Sequence, residues 1–141
     1  MKVLVIDGQG GGMGARLIQQ LKAHFPEQAV TAVGTNALAT SAMLKAGADN
    51  AATGENPVVF SAARAQLILG PVGIVLPNAM LGEITPRMAE AVASSPAQKI
   101  LVPASRCSVR IVGLDGRSMA EYVEEAVGLA GEFVSREKIE S

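Results

Sequence analysis

The sequence predicts a three-layer α/β protein with a doubly wound, mostly parallel sheet of about five strands. Short apolar runs alternate with segments whose apolar residues recur at helical spacing. A glycine-rich segment follows the first apolar run and opens the first helical pattern. Aromatic residues make up only 3% of the chain, so small aliphatic residues must fill the interior. Such an interior suits helices packed closely on a sheet.

Five short apolar runs are predicted strands, because buried parallel strands read as nearly continuous aliphatic segments. In chain order they are Lys2–Ile6, Ala29–Val33, Gln66–Leu69, Lys99–Val102 and Val109–Val112. Only about six residues separate the last two runs. A parallel crossover needs roughly a dozen or more residues. We therefore expect the fifth strand to be antiparallel at one edge of the sheet.

Helical patterns fill the segments between the strands, and small polar residues stand where helix caps are needed. The first helix follows Gly14 and stops at Pro26, and Gly47 ends the second. The caps predicted for the later helices are Thr35 or Asn36, Asn56 before Pro57, Thr85 before Pro86, and Ser118.

Right-handed crossovers arrange these strands in the order 2-1-3-4-5, which is a Rossmann-like arrangement. In such sheets ligands bind beyond the carboxyl ends of the strands, where strands 1 and 3 diverge. We expect one domain over residues 1–135 and a charged, fraying tail over residues 136–141.

Composition excludes several classes of protein. The chain has 141 residues, 49% of them apolar, which is enough for the core of one domain. A net charge of −1 without a basic patch argues against nucleic-acid binding. No stretch of 18 apolar residues exists, so no membrane-spanning helix is expected. Glycines interrupt the apolar run after Lys2, unlike a signal peptide, and the single Cys107 suits a reducing compartment. We expect a cytoplasmic protein.

The loop after the first strand is the main candidate binding site. It comprises Gly8, Gln9, Gly10, Gly11, Gly12, Met13 and Gly14. Each glycine costs about 0.5–1 kcal/mol of chain entropy, and a tight turn needs only one or two. The surplus predicts that backbone approaches a ligand closely, and free amides at a helix start favour a phosphate. The alternative is a close-packed turn that binds nothing.

The loop spacing is similar to several families that bind NAD(P). The pattern G-x-x-x-G-x-G resembles short-chain dehydrogenases, and G-x-x-G-x-x-G resembles dihydrodipicolinate reductases. No Gly-Lys-Ser/Thr follows, which argues against a P-loop hydrolase. NAD or NADP is therefore the expected cofactor. Thr35 and Asn36 stand where an acid would normally bind the ribose, and Asn36 discriminates poorly between NAD and NADP. Asp7 either braces the loop, or contacts the ligand directly or holds a metal.

Further candidates follow the later strands. Gly70 and Pro71 form either a rigid wall for a nucleotide ring or a simple strand-ending turn. Asn78 and Glu83 lie in a segment long enough to act as a lid, and Glu83 could be a general base if desolvated. Arg106 could pair with a substrate phosphate or carboxylate. No zinc-ligand spacing is present, so no metal is expected.

Several runs together resemble a small bacterial protein family of unknown function. They are VIDGQGGGMG, GTNALATSAMLKAGAD, ATGEN, LGPVGIV, NAMLGEITPRMAEAV and KILVP followed by RC. This resemblance covers residues 1 to about 130 and implies no substrate or catalytic residue. The short-chain dehydrogenases use a Tyr-x-x-x-Lys pair, whereas Tyr122 here is followed four positions later by Ala126.

Three functions remain open on the sequence. The first is a domain that binds a nucleotide or dinucleotide through residues 8–14, with NAD(P)-dependent reduction as the expected reaction if it is an enzyme. The second is a non-catalytic nucleotide-sensing or partner-binding subunit. The third is an enzyme that acts on another phosphorylated metabolite. We expect a homodimer, because open sheets this small often pair.

Overall fold

The computed structural model describes residues 1–104 and 108–140. Its strands are β1 Val3–Asp7, β2 Val30–Gly34, β3 Asn50–Thr53, β4 Leu67–Pro71 and β5 Gln98–Val102. Its helices are α1 Gly12–His24, α2 Ala37–Lys45, α3 Glu55–Ala62, α4 Pro86–Ala93 and α5 Met119–Glu140. A short 3₁₀ helix, Val72–Val75, follows β4 directly.

The five strands form one parallel sheet in the order β3-β2-β1-β4-β5. Helices α1, α2 and α5 contribute to the core on one face of the sheet, and α3 and α4 to the core on the other. This arrangement confirms the predicted three-layer α/β class. The strand order reverses between β1 and β4, so a crevice is expected beyond the carboxyl ends of those two strands.

The two central strands are apolar because helices cover both of their faces. Every residue of β1 and of β4 is buried. Val3 and Val5 pack into the core beneath α1 and α5, whereas Leu4 and Ile6 pack into the core beneath α3 and α4. The alternation fixes the register of β1, since a shift by one residue would exchange these two sets.

The predicted antiparallel edge strand at Val109–Val112 is wrong. Residues 108–118 contain no strand in the described part of the chain, and Val112 is fully exposed. Strand β5 forms that edge instead and runs parallel to β4. The short spacing correctly excluded a parallel crossover. It did not show that the run pairs at all, and its β-branched side chains have no buried face to pack against.

A strand at the opposite edge was absent from the prediction. Asn50–Thr53 forms β3 and pairs with β2, so the order is 3-2-1-4-5 rather than 2-1-3-4-5. The four correctly predicted strands keep the positions expected of them relative to one another. The sequence Asn-Ala-Ala-Thr lacks a large apolar residue, and half-exposed edge positions do not require one.

Three of the predicted helix caps are confirmed and one is wrong. Asn36 accepts a hydrogen bond from the Ala39 amide, and Thr85 accepts one from the Met88 amide. Ser118 and Glu121 form a reciprocal capping box at the start of α5. Helix α3 begins at Glu55 rather than after an Asn56 cap, with Gly54 before it. Pro57 is tolerated there because amides of the first turn have no partner within the helix.

Helix α5 joins the core of the α1 face through a row of small and branched residues: Val123, Ala126, Val127, Ala130 and Val134. The helix includes residues 136–140 of the charged segment at which we expected fraying. Among the described residues, no helix is both long enough and apolar enough to cross a bilayer.

Candidate functional site

The glycine loop, residues 8–14, connects β1 to α1 and is held by one buried carboxylate. Asp7 ends β1 and is 5% exposed. Its Oδ1 accepts a hydrogen bond from the Gly8 amide at 2.8 Å, and its Oδ2 accepts one from the Gly14 amide at 2.7 Å. Burial raises the pKa of Asp7 above its ordinary value, against the opposite effect of these amides. Asp7 therefore braces both ends of the loop.

The fold itself requires three of the five loop glycines. A Cβ on Gly8 would lie 2.6 Å from Thr35 Oγ1 and 2.7 Å from Met80 Sδ. Gly11 has a φ of 74° and would place a Cβ 2.8 Å from the Ala39 backbone. A Cβ on Gly14 would approach Met43 Sδ to 2.6 Å.

The remaining two glycines have no structural reason of this kind. Gly10 and Gly12 are exposed, and a Cβ on either would meet no atom within 4 Å. Neither has a positive φ. Within residues 1–104 and 108–140, no acceptor bonds their backbone amides. Side chains are therefore missing at two positions where the protein has room for them, at the start of α1.

Glu83 reaches the glycine loop from the 78–84 loop, which lies between the 3₁₀ helix and α4. Its Oε1 accepts hydrogen bonds from the Gln9 amide at 2.8 Å, Thr35 Oγ1 at 2.5 Å and Asn36 Nδ2 at 2.9 Å. Its Oε2 accepts none from any described residue. Asn36 Nδ2 also donates to the Gln9 carbonyl at 3.0 Å. The carboxylate thus joins the loop after β4 to the ends of β1 and β2.

The backbone around this contact is strained. Gln9 has a φ of 51°, and Asn78, Met80 and Leu81 have φ values of 67°, 58° and 57°. Non-glycine residues in this left-handed region cost on the order of 1 kcal/mol each. Hydrogen bonds hold the 78–84 loop in this form, including one from the Asn78 amide to the Ile84 carbonyl at 2.7 Å. The loop is consequently a defined turn that places Glu83 at one position.

The pKa of Glu83 gives a testable pH dependence. Burial acts to raise it, but the hydrogen bonds from Thr35, Gln9 and Asn36 together hold it below 4.5, the ordinary value for Glu. A lowered pKa contributes stability that is present above pH 4.5 and lost as pH falls through the folded-state pKa.

We therefore expect the wild-type protein to be more stable than Glu83→Gln at pH 7, because hydrogen bonds to an ionised acceptor are stronger than neutral ones. This advantage should shrink as the solution is acidified below pH 4.5. Urea unfolding of both proteins from pH 7 to pH 3 measures it. A stability difference that stays constant over this range would contradict the expected role of the charge.

The structure brings most of the predicted site residues together, but not all of them. Residues 8–14, Thr35, Asn36 and Glu83 form one continuous cluster at the carboxyl ends of β1 and β2. Gly70 and Pro71 are buried within β4 rather than following it. The Asn78 residue is exposed, and its side chain does not bond to the cluster. Arg106 lies outside the described residues.

The contacts that shape the loop could not be read from the sequence. The three structurally required glycines are in close contact with Met80, Met43 and Ala39, which are distant from them in the chain. No local pattern marks such residues.

A cavity of about 460 Å³ between α1 and α5, bordered by His24 and Glu124, is separate from the cluster. The described residues contain no group of three or more His, Cys, Asp or Glu side chains that could hold a metal ion.

Sheet order and loop position together define the class of protein. An all-parallel sheet in the order 3-2-1-4-5, with a glycine loop after β1, is a doubly wound, Rossmann-like α/β domain. The chain belongs to the family described as a domain of unknown function (DUF3842), whose profile matches residues 2–135. This membership confirms the resemblance to a family of unknown function.

No curated protein matches the sequence significantly. One similar solved structure is the crystal structure of a dodecameric FMN-dependent Ubix-like decarboxylase from Escherichia coli O157:H7. The two are 19% identical, with a TM-score of 0.45 over 93% of this chain and 76% of that chain.

Proposed function

We propose that this protein is a nucleotide-binding domain that holds a phosphate-bearing ligand such as NAD(P) at the glycine loop. The observation that carries the proposal is the pair Gly10 and Gly12. Both are exposed, both lack a partner for the backbone amide, and neither glycine is needed by the surrounding packing. A phosphate can approach such amides to hydrogen-bonding distance, and a side chain at either position would obstruct it.

The local charge is compatible with an anion despite the two neighbouring carboxylates. The amino end of α1 carries a partial positive charge of about half an elementary unit. Helix α1 has no acidic residue in its first turn. Both oxygens of Asp7 accept hydrogen bonds from the amides of Gly8 and Gly14, and its side chain is buried rather than open to a ligand. Glu83 bonds to Gln9, Thr35 and Asn36 rather than to Gly10 or Gly12.

Binding without turnover is the function that this site supports best. Its two carboxylates, Asp7 and Glu83, both serve as hydrogen-bond acceptors for the protein's own groups. An NAD(P)-dependent reductase is the second candidate, favoured by the similarity of the loop spacing to short-chain dehydrogenases. Oxidation of NADH or NADPH by the purified protein, in the presence of carbonyl substrates, would establish that activity.

A thermal-shift panel tests the proposal. The ligands are NAD, NADP, AMP, ATP, coenzyme A, S-adenosylmethionine and sugar phosphates. A ligand present at 100 times its Kd should stabilise the protein by about 2.7 kcal/mol. We expect Gly12→Val to remove this stabilisation, because the added side chain would occupy the space through which the phosphate approaches.

Gly128→Val is the matched control. Gly128 is also an exposed helical glycine, and a Cβ added there would meet no atom within 4 Å. This variant should keep the full ligand response. A folded Gly12→Val protein that responds to ligand like the wild type would show that the loop is not the site. Absence of stabilisation by every ligand in the panel would reject nucleotide binding.

A further inference from the structure

We propose that Glu83 is the ribose-binding acid of this domain, so that the nucleotide it selects carries a free 2′,3′-diol rather than a 2′-phosphate. The inference rests on the proposed nucleotide-binding function and narrows its ligand class. It assigns NAD, or another nucleotide with an unmodified ribose, in preference to NADP.

The Glu83 carboxylate lies at the end of β2. In doubly wound dinucleotide-binding domains, an acid near the end of the second strand hydrogen-bonds the ribose hydroxyls. Here β2 ends at Gly34, and the next residues, Thr35 and Asn36, supply no acid. The Glu83 carboxylate accepts hydrogen bonds from the side chains of those two residues, from Thr35 Oγ1 at 2.5 Å and from Asn36 Nδ2 at 2.9 Å. A different loop thus delivers the missing acid to the end of β2.

The two oxygens of the Glu83 carboxylate differ in their hydrogen bonds. Oε1 receives all three protein donors, from Gln9, Thr35 and Asn36. Oε2 receives none from the described residues, although a carboxylate oxygen has two lone pairs available. One oxygen therefore fixes the side chain and leaves the other able to accept from ligand hydroxyls.

Two neighbouring amides of the glycine loop differ in whether they have a partner. The Gln9 amide binds Glu83, and the amide of the next residue, Gly10, is open. Acceptors for a ribose and donors for a phosphate therefore lie side by side. A nucleotide presents the same two groups next to each other, since its phosphate is attached to the ribose.

The negative charge of Glu83 favours a ribose with a free 2′-hydroxyl over a ribose with a 2′-phosphate. A phosphate monoester at the 2′ position carries about −1.5 to −2 charges at pH 7. Placed beside the Glu83 carboxylate, it would meet like-charge repulsion in a partly buried setting. Among the residues that the structure describes, the titratable group close to Glu83 is Asp7, a second carboxyl group. Neither carboxylate is paired with Lys or Arg among the described residues.

Calorimetric titration with NAD and NADP tests the assignment. We expect the wild-type protein to bind NAD at least about 10-fold more tightly than NADP, as one charged hydrogen bond implies. Glu83→Gln should weaken NAD binding by about 10-fold and bring the ratio of the two affinities close to 1. ATP and 2′,3′-dideoxy-ATP provide a second pair. The wild type should prefer ATP, and Glu83→Gln should lose that preference.

Glu90→Gln is the control for the loss of a charge, because Glu90 is exposed on α4 and should leave all four affinities unchanged. Equal or tighter NAD binding by Glu83→Gln would show that the carboxylate blocks the ligand and would overturn the assignment. A wild-type preference for NADP would overturn it without any variant. If either result appears while Gly12→Val still abolishes binding, nucleotide binding stands and only the ribose assignment fails.

Discussion

Replacing Gly70 by alanine is expected to destabilise the protein by about 3 kcal/mol or more, although only one methyl group is added. Gly70 lies in β4, next to the other central strand, β1. The new Cβ would overlap the carbonyl oxygen of Ile6 and lie 3.0 Å from Ile74 Cδ1. Backbone of a central strand cannot move aside without breaking the sheet on both of its edges. A flexible side chain could have yielded, but a strand carbonyl cannot.

Urea unfolding measures this effect, and Gly128→Ala is the matched substitution. Gly128 is exposed in α5, where alanine should be neutral or stabilise the protein by up to about 1 kcal/mol. A loss of less than about 1 kcal/mol for Gly70→Ala would show that the sheet accommodates the methyl group. From the sequence, Gly70 was expected to be either part of a rigid wall for a nucleotide ring or part of a strand-ending turn. Close packing of β4 against β1 already accounts for the glycine.

The four longer strands were predictable because their physical cause lies within each segment. Strands β1 and β4 are covered on both faces, so burial alone requires the runs VLVID and LILGP to be mostly apolar. Strand β3 lies at an edge and contains Asn50, two alanines and Thr53, so burial leaves no mark on its sequence. The run at Val109–Val112 shows the converse, since β-branched residues form a strand only where a partner strand is available.

Some features of the candidate site were likewise predictable from the sequence, and others depend on contacts that only the fold creates. The excess of glycines in residues 8–14 identified the loop, because every glycine carries an entropic cost that needs a reason. The sequence could not separate Gly11, which needs a positive φ, from Gly12, which has open space around it. That distinction depends on Ala39 and other residues brought close only by the fold. Glu83 was noted as a candidate, but its contact with Thr35 spans 48 positions of the chain and has no local signal.

Replacing Asp7 by alanine should cause a second large loss, of about 2–4 kcal/mol at pH 7, by leaving two loop amides without an acceptor. Gly8 and Gly14 are both buried, so water cannot readily replace the carboxylate. Asp7→Asn should recover only part of the stability. Its single carbonyl oxygen can satisfy one amide, while its NH₂ group would face the other.

The pH dependence of the Asp7 variants separates the hydrogen bonds from the charge. Burial, assisted by the nearby Glu83 charge, raises the pKa of Asp7 above 3.8 despite its amide partners. A carboxyl group with a raised folded-state pKa contributes stability that is present below pH 3.8 and is lost as pH rises through the folded-state pKa. The wild type should therefore gain stability relative to Asp7→Ala as pH falls through that window. Glu83 titrates in both proteins, so the stability that it loses on acidification largely cancels in the difference.

Urea unfolding of the wild type and Asp7→Ala between pH 7 and pH 3.5 measures this gain. A difference that narrows on acidification would mean that ionised Asp7 is favoured in the loop, and that the amides of Gly8 and Gly14 outweigh burial.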